Sequence, residues 1–139
     1  MDTARAEQRL ERARAMILDA LPGLLAIYVF GSAAQGQTTE DSDLDLAVLG
    51  TEPVPPTRLY HLARSMEAQL GIDVDLVDVL TASTVLKKEV VAGGRPIHCS
   101  NGDAVLDFEA RTLSEYGRYR EGMESLLQAV RDTGKAYEV

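Results

Sequence analysis

Two short groups of residues in this chain are equipped for chemistry on a polyphosphate. The first is Gly31-Ser32. The second, ten residues further on, is Ser42-Asp43-Leu44-Asp45. Glycine reaches positive φ without strain, so a Gly-Ser pair lets the backbone turn sharply and come close to a ligand. Successive N–H groups in such a turn form a nest for phosphate oxygens, and a serine hydroxyl adds a further hydrogen bond. On the other side, carboxylates two apart on a strand project from the same face. Asp43 and Asp45 therefore point together and repel unless protons or cations share them. Magnesium suits them, because it takes oxygen ligands and is commonly held by one or two carboxylates plus substrate phosphates. A third candidate is Asp75, in the acidic run Asp73-Val74-Asp75-Leu76-Val77-Asp78. If that run pairs beside the strand carrying Asp43 and Asp45, Asp75 completes a triad able to hold two metals. Asp73 and Asp78 are its rivals in the same run. Gly31, Ser32 and Ser42 are the candidate nucleotide contacts; Asp43, Asp45 and Asp75 are the candidate metal ligands and catalytic groups. Ser32 is not read as a covalent nucleophile, since His61 and His98 are remote in sequence.

The elements that must position these residues are legible as periodic patterns. Leu10, Ala13, Ile17, Ala20 and Leu21 recur at helical spacing, which predicts a first helix over about 3–21, stopped by Pro22-Gly23. Apolar runs at about 24–30 and 44–49 predict the strands on either side of the two motifs. Ser32 to Gln35 predicts one helical turn before Gly36. A helix over about 57–70 follows a proline-rich loop, with Thr57 as candidate cap and Gly71 as terminator. The third strand is about 73–79, a helix follows at about 83–92, and Arg95 to Cys99 is a fourth strand that Pro96 confines to an edge. The last ~35 residues read as one long helix weakened by Gly117 and Gly122, each by about 1 kcal/mol relative to alanine. Such a helix either lids its own sheet or packs on another chain. The division this implies is a core over 1–100 and a helical, partner-binding tail over 101–139. Among the lesser candidates, Lys87, Lys88 and Arg95 read as solvated cations, His98 and Cys99 as strand-end packing, and His61 as a helix-surface residue.

Composition narrows the classes. The 139 residues carry 45% hydrophobic and 26% charged side chains, which suits one globular domain with a real core. No apolar run approaches the ~20 residues of a membrane span. One cysteine and a charged N-terminal stretch without an apolar segment point to a reducing, cytoplasmic setting. A net charge of −8 argues against a direct nucleic-acid binder, which needs clustered Lys and Arg.

Gly31-Ser32, ten residues, and Asp43-x-Asp45 resemble the signature of the minimal nucleotidyltransferases of the DNA polymerase β superfamily. The resemblance runs from about 24 to 98, with the family's third carboxylate at Asp75. One departure is visible: where family members often carry arginine just before the glycine at 36, this chain has Gln35. The resemblance implies a mixed α/β sheet flanked by helices, ATP with Mg²⁺, and nucleotidyl transfer to a hydroxyl. The length, the strand around Asp75 and the tail segment Asp107-Phe108-Glu109-Ala110-Arg111-Thr112 leading into Tyr116 look similar to MNT antitoxins that partner HEPN-domain toxin RNases. That likeness implies AMP transfer from ATP to a toxin tyrosine, with Gly31 and Ser32 on the β- and γ-phosphates and Asp75 as metal ligand or base. Two other readings share the motif. One is a small-molecule enzyme similar to the aminoglycoside nucleotidyltransferases, which normally has a larger substrate domain. The other is an antitoxin that acts by binding alone.

Overall fold

A computed structural model describes residues 3–35 and 43–133 of the chain. The expectations for Ser42 and Gly36 lie outside the described residues. Four strands form one mixed sheet: β1 (Ala26–Phe30), β2 (Leu44–Leu49), β3 (Val74–Asp78) and β4 (Arg95–Cys99). Their order across the sheet is β3-β2-β1-β4. β1 runs antiparallel to both β2 and β4, while β2 and β3 are parallel. A parallel pair needs a crossover connection, and α2 (Pro56–Leu70) supplies it. β4 lies at an edge, as Pro96 requires. Where the proline cannot donate to the ladder, the register shifts: Ile27 faces His98 while Tyr28 faces Pro96, leaving Ile97 as the extra residue of a bulge.

Alternation along the strands sorts the core into two layers. Ile27, Val29, Leu44, Leu46, Val48, Val74 and Leu76 pack with Leu10, Ala13 and Ile17 of α1 (Thr3–Ala20) and Leu59, Ala63 and Met66 of α2. The opposite face, with Ala26, Tyr28, Phe30, Ala47 and Leu49, packs against Val90 of α3 (Thr84–Gly93) and Val105 and Phe108 of α4 (Gly102–Thr133). Asp43, Asp45 and Asp75 have the parity of this second face.

The helix ends follow local chemistry. α1 gives way to a turn at Gly23, φ 87°. Thr57 does not cap α2. Pro55 occupies the cap position without a side-chain hydrogen bond, and Pro56 opens the helix with its φ already set, so the threonine falls inside the first turn. Gly71 ends α2 in the left-handed conformation, its N–H donating to Glu67 O. Ser83 Oγ accepts from Leu86 N–H, 3.1 Å, to start α3. Asn101 Oδ1 accepts from Ala104 N–H, 3.1 Å, to start α4.

α4 divides the two expectations for the tail between its halves. Val105, Phe108 and Thr112 are buried, so the first three turns do lid the domain's own sheet. Tyr28 fixes them there, its hydroxyl donating to Glu109 Oε2 at 2.5 Å. Beyond Thr112 the helix continues through Gly117 and Gly122 to Thr133, with Tyr119, Met123, Leu126 and Leu127 exposed. No helix among the described residues is long and apolar enough to cross a membrane.

Candidate active site

The sheet register brings Asp45, Asp75 and the start of the Gly31 turn to one place. Phe30, the last residue of β1, is the partner of Asp45 on β2, and Asp45 is in turn the partner of Asp75 on β3. The condition set for Asp75 is therefore met: β3 pairs beside β2, and the two aspartates sit side by side. Asp43 precedes β2 by one residue and shares the parity of Asp45. Asp43 and Asp75 are exposed, while Asp45 is half-buried.

Immediately after Phe30 the backbone turns at Gly31, φ 71°. Residues Gly31–Gln35 form a single 3-10 turn, as the pattern from Ser32 to Gln35 predicts. A Cβ at Gly31 would lie 3.3 Å from Asp45 Cγ and closer still to Asp45 Oδ2. Glycine is thus required twice over, once by the positive φ and once by the space that the carboxylate occupies. The turn and the metal-ligand candidate are pressed together, with Ser32 exposed at the rim.

Electrostatics mark the same spot. The Asp45 carboxyl is held above the ordinary aspartate range, first by burial and then by the negative charges of Asp75, Asp43 and Glu89. Glu89, on α3, is the acidic neighbour that sequence reasoning missed. It lies forty-four residues from Asp45 in sequence, and only the packing of α3 against β1 and the 3-10 turn brings it near. Among the described residues no three His, Cys, Asp or Glu side chains are drawn together as a finished metal cage. The three carboxylates nevertheless suit a hard divalent cation: their donors are all oxygen, Asp45 and Asp75 are partners on adjacent strands with Asp43 one residue before β2, and their mutual repulsion is what a cation would relieve.

One rival of Asp75 is engaged elsewhere through its carboxylate. Asp78 is buried, and its carboxylate accepts from Val54 N–H (2.9 Å) and Leu80 N–H (3.0 Å), clamping the loop after β2. Asp73 is exposed, and its carbonyl accepts from Leu44 N–H, 2.9 Å, at the head of the parallel pair. Of the lesser cations, Arg95 pairs with Glu7 at 3.3 Å and Lys88 Nζ sits 5.1 Å from the Tyr116 ring centroid. Lys88 is thus only half-exposed and engaged with α4, not a freely solvated charge. Cys99 is exposed where packing was expected, because the edge strand leaves its last residue uncovered; His98 is half-buried and His61 exposed.

A mixed sheet whose first strand ends in a tight glycine turn, set against carboxylates on the next two strands, defines the nucleotidyltransferase class. The family profile described as polymerase beta, nucleotidyltransferase, matches residues 15–103, and the chain belongs to that family. It is 35% identical over 115 residues to the protein adenylyltransferase MntA of Shewanella oneidensis, covering 83% of this chain and 82% of the relative. Among solved structures it is similar to a chain of a toxin–antitoxin crystal structure with AMP-PNP. That match has a TM-score of 0.76 at 33% identity, over 90% of this chain and 98% of that one. It is also similar to a chain in the complex of a tri-AMPylated Shewanella oneidensis HEPN toxin with an MNT antitoxin. Here the TM-score is 0.75 at 29% identity, over 91% and 98% of the two chains.

Proposed function

We propose that this chain is an antitoxin that transfers AMP from ATP to a tyrosine hydroxyl of a HEPN-family RNase toxin and so silences it. The observation that carries the reading is the apposition of Gly31 to Asp45, with Asp75 in register beside it. The likeness to MntA supports protein as the acceptor. The transferase core spans 1–100, the tail over 101–139 offers surface for assembly with other chains, and the setting is cytoplasmic.

Asp43, Asp45 and Asp75 hold Mg²⁺ in this reading. A cation held by these carboxylates would supply charge neutralisation for the polyphosphate and polarisation of the α-phosphoryl group. The Gly31–Ser32 turn grips the terminal phosphates through backbone N–H groups and the Ser32 hydroxyl, which fixes the α-phosphorus over the carboxylates; Ser42 adds a further nucleotide contact. A tyrosine hydroxyl has a pKa near 10, so its proton must be taken up as the oxygen attacks. Asp75, exposed on the outer strand, either helps hold the metal or takes this proton as the base. The tyrosine oxygen bonds to α-phosphorus, the bond to the bridging oxygen of the β-phosphate breaks, and pyrophosphate departs with that electron pair. Catalysis is then positioning plus charge neutralisation.

The test is transfer of label from α-labelled ATP to the cognate HEPN toxin in Mg²⁺. Asp45→Asn should lower the rate by about two orders of magnitude or more while the fold persists. Undiminished labelling by that variant would overturn the assignment. If an Asp43→Asn/Asp45→Asn chain still blocks the RNase fully without labelling it, neutralisation proceeds by binding alone.

A further inference from the structure

The sheet has two edges, β3 and β4, and the chain treats them differently. An edge strand presents N–H and C=O groups to any further strand unless something blunts them. β4 is blunted: Pro96 lacks a donor, the register shifts beside it, and Ile97 O accepts from Arg14 Nε of α1 at 3.0 Å. β3 pairs with β2 in unbroken register and contains no proline. Leu44 N–H donates to Asp73 O and Val79 N–H donates to Val48 O. The odd-numbered residues of β3 therefore bond to β2, and Val74 and Leu76 turn their backbone groups outward. Glu67 Oε2 accepts from the Val74 N–H at 2.9 Å and closes the head of this edge. Beyond it, the Val74 C=O and both backbone groups of Leu76 have no hydrogen-bond partner among the described residues. This open stretch flanks Asp75, the outermost carboxylate of the acid site.

We propose that the outer edge of β3 receives the acceptor segment of the substrate protein as an added strand, with the reactive tyrosine opposite Asp75. The proposal rests on AMP transfer to a protein tyrosine and names how that tyrosine is presented. Register is the first reason. Side chains of directly opposed residues project from the same face, so a tyrosine opposite Asp75 shares the face of Asp75 and Asp45. Strand spacing sets its Cα about 5 Å from that of Asp75 and about 10 Å from that of Asp45, within a tyrosine side chain's reach of the site. Main-chain bonds to Leu76 supply the grip, and alternation along the added strand aims the phenol. Charge is the second reason, and it chooses between occupants. Asp73 and Asp75 are exposed along β3, while Arg64, near its head, is already paired with Glu67 at 2.7 Å. A second copy of β3 laid on this edge would bring carboxylates against carboxylates, and like charges across strands are destabilising. An extended segment with Lys or Arg beside its tyrosine gains where the second copy loses.

Residue-resolved amide exchange of the full chain tests this, alone and with the cognate HEPN toxin, in Mg²⁺ and α,β-methylene ATP. The methylene bridge replaces the bond that must break, so the acceptor tyrosine stays unmodified in the complex. The Leu76 amide should slow by about tenfold or more on adding toxin, while Asp75 and Val77, already bonded to β2, change far less. Leu76→Pro should raise the KM for toxin by about tenfold, the loss of one ladder hydrogen bond, since an edge strand admits proline where its N–H faces outward. Asp73→Lys should raise the same KM by about threefold and leave kcat unchanged. Should Leu76→Pro fail to fold, the exchange pattern decides alone. A Leu76 amide that exchanges equally fast with and without toxin overturns the proposal. Protection that appears without toxin and grows with protein concentration assigns the edge to a second copy and overturns it as well. Labelling of the toxin from ATP with Leu76 unprotected removes the docking mode and leaves the transfer. Protection of Leu76 by toxin that is never labelled removes the transfer and leaves the docking, so the two fail separately.

Discussion

The role proposed for Asp45 is set against the stability of the fold, and its titration makes the opposition measurable. The side chain is half-buried among Asp75, Asp43 and Glu89, and its carboxyl is held above the ordinary range by that burial and by those charges. A carboxyl with a raised folded-state pKa contributes stability that is complete below its unfolded value, near 3.9, and is lost as pH rises through the folded value. At neutral pH the ionised Asp45 therefore opposes folding. Asp45→Asn is expected to unfold at higher temperature than the parent near pH 7, and the gap should close as pH falls below about 4. Thermal unfolding of both proteins across that range checks the sign; a destabilised variant at neutral pH would show that the carboxylate is held by favourable contacts instead. The same substitution is expected to abolish transfer.

At the scale of elements, the fold hangs the lid helix on a buried phenol. Tyr28 is fully enclosed in the middle of β1, and its hydroxyl donates to Glu109 on α4. Burial first, then the hydrogen bond and charge of Glu109, hold the phenol far above its usual range. Tyr28→Phe removes a hydrogen bond to a charged acceptor and should lower stability by about 1.5–3 kcal/mol, read as a shift in denaturant midpoint at constant slope. Amide exchange should quicken over 102–112 and not in β2 and β3. Because the phenol pKa is raised in the folded state, its contribution is present below about pH 10 and lost above it, so the gap between parent and variant should narrow in alkali.

What the sequence disclosed at this scale follows a physical division. The placement of Gly31, Asp43 and Asp45 was legible because it follows from local backbone geometry, a positive φ or a shared strand face. The place of Asp75 beside Asp45 was legible only conditionally, since it needed the parallel pairing of β2 with β3, which the chain accomplishes across α2. The Tyr28–Glu109 bond and the approach of Glu89 to Asp45 were not legible, because they join residues that no period connects. Pro55-Pro56 misled for the opposite reason: a proline start needs no side-chain cap, so Thr57 looked like a cap and was not one.

Over the whole molecule, the net charge of −8 and the acidic site act in the same direction, and two ions separate their effects. Self-repulsion spread over a surface is relieved by ionic strength alone, since exposed charges beyond about 8 Å are screened at physiological salt. Repulsion concentrated at Asp43, Asp45 and Asp75 is relieved by a cation that binds there, and binding to the folded state alone adds stability by mass action, about 2.7 kcal/mol at a concentration one hundred times the dissociation constant. NaCl should therefore raise the unfolding temperature of the parent and of Asp43→Asn/Asp45→Asn by similar amounts. MgCl₂ or MnCl₂ at matched ionic strength should raise the parent further and add nothing to the variant, and a chelator should remove the increment. Calorimetric scans of the two proteins in the three media decide it. An equal response of parent and variant to the divalent salts would place the cation elsewhere and break the link between the strand register and the chemistry assigned to it. A selective response would tie fold stability and metal binding to the same two side chains.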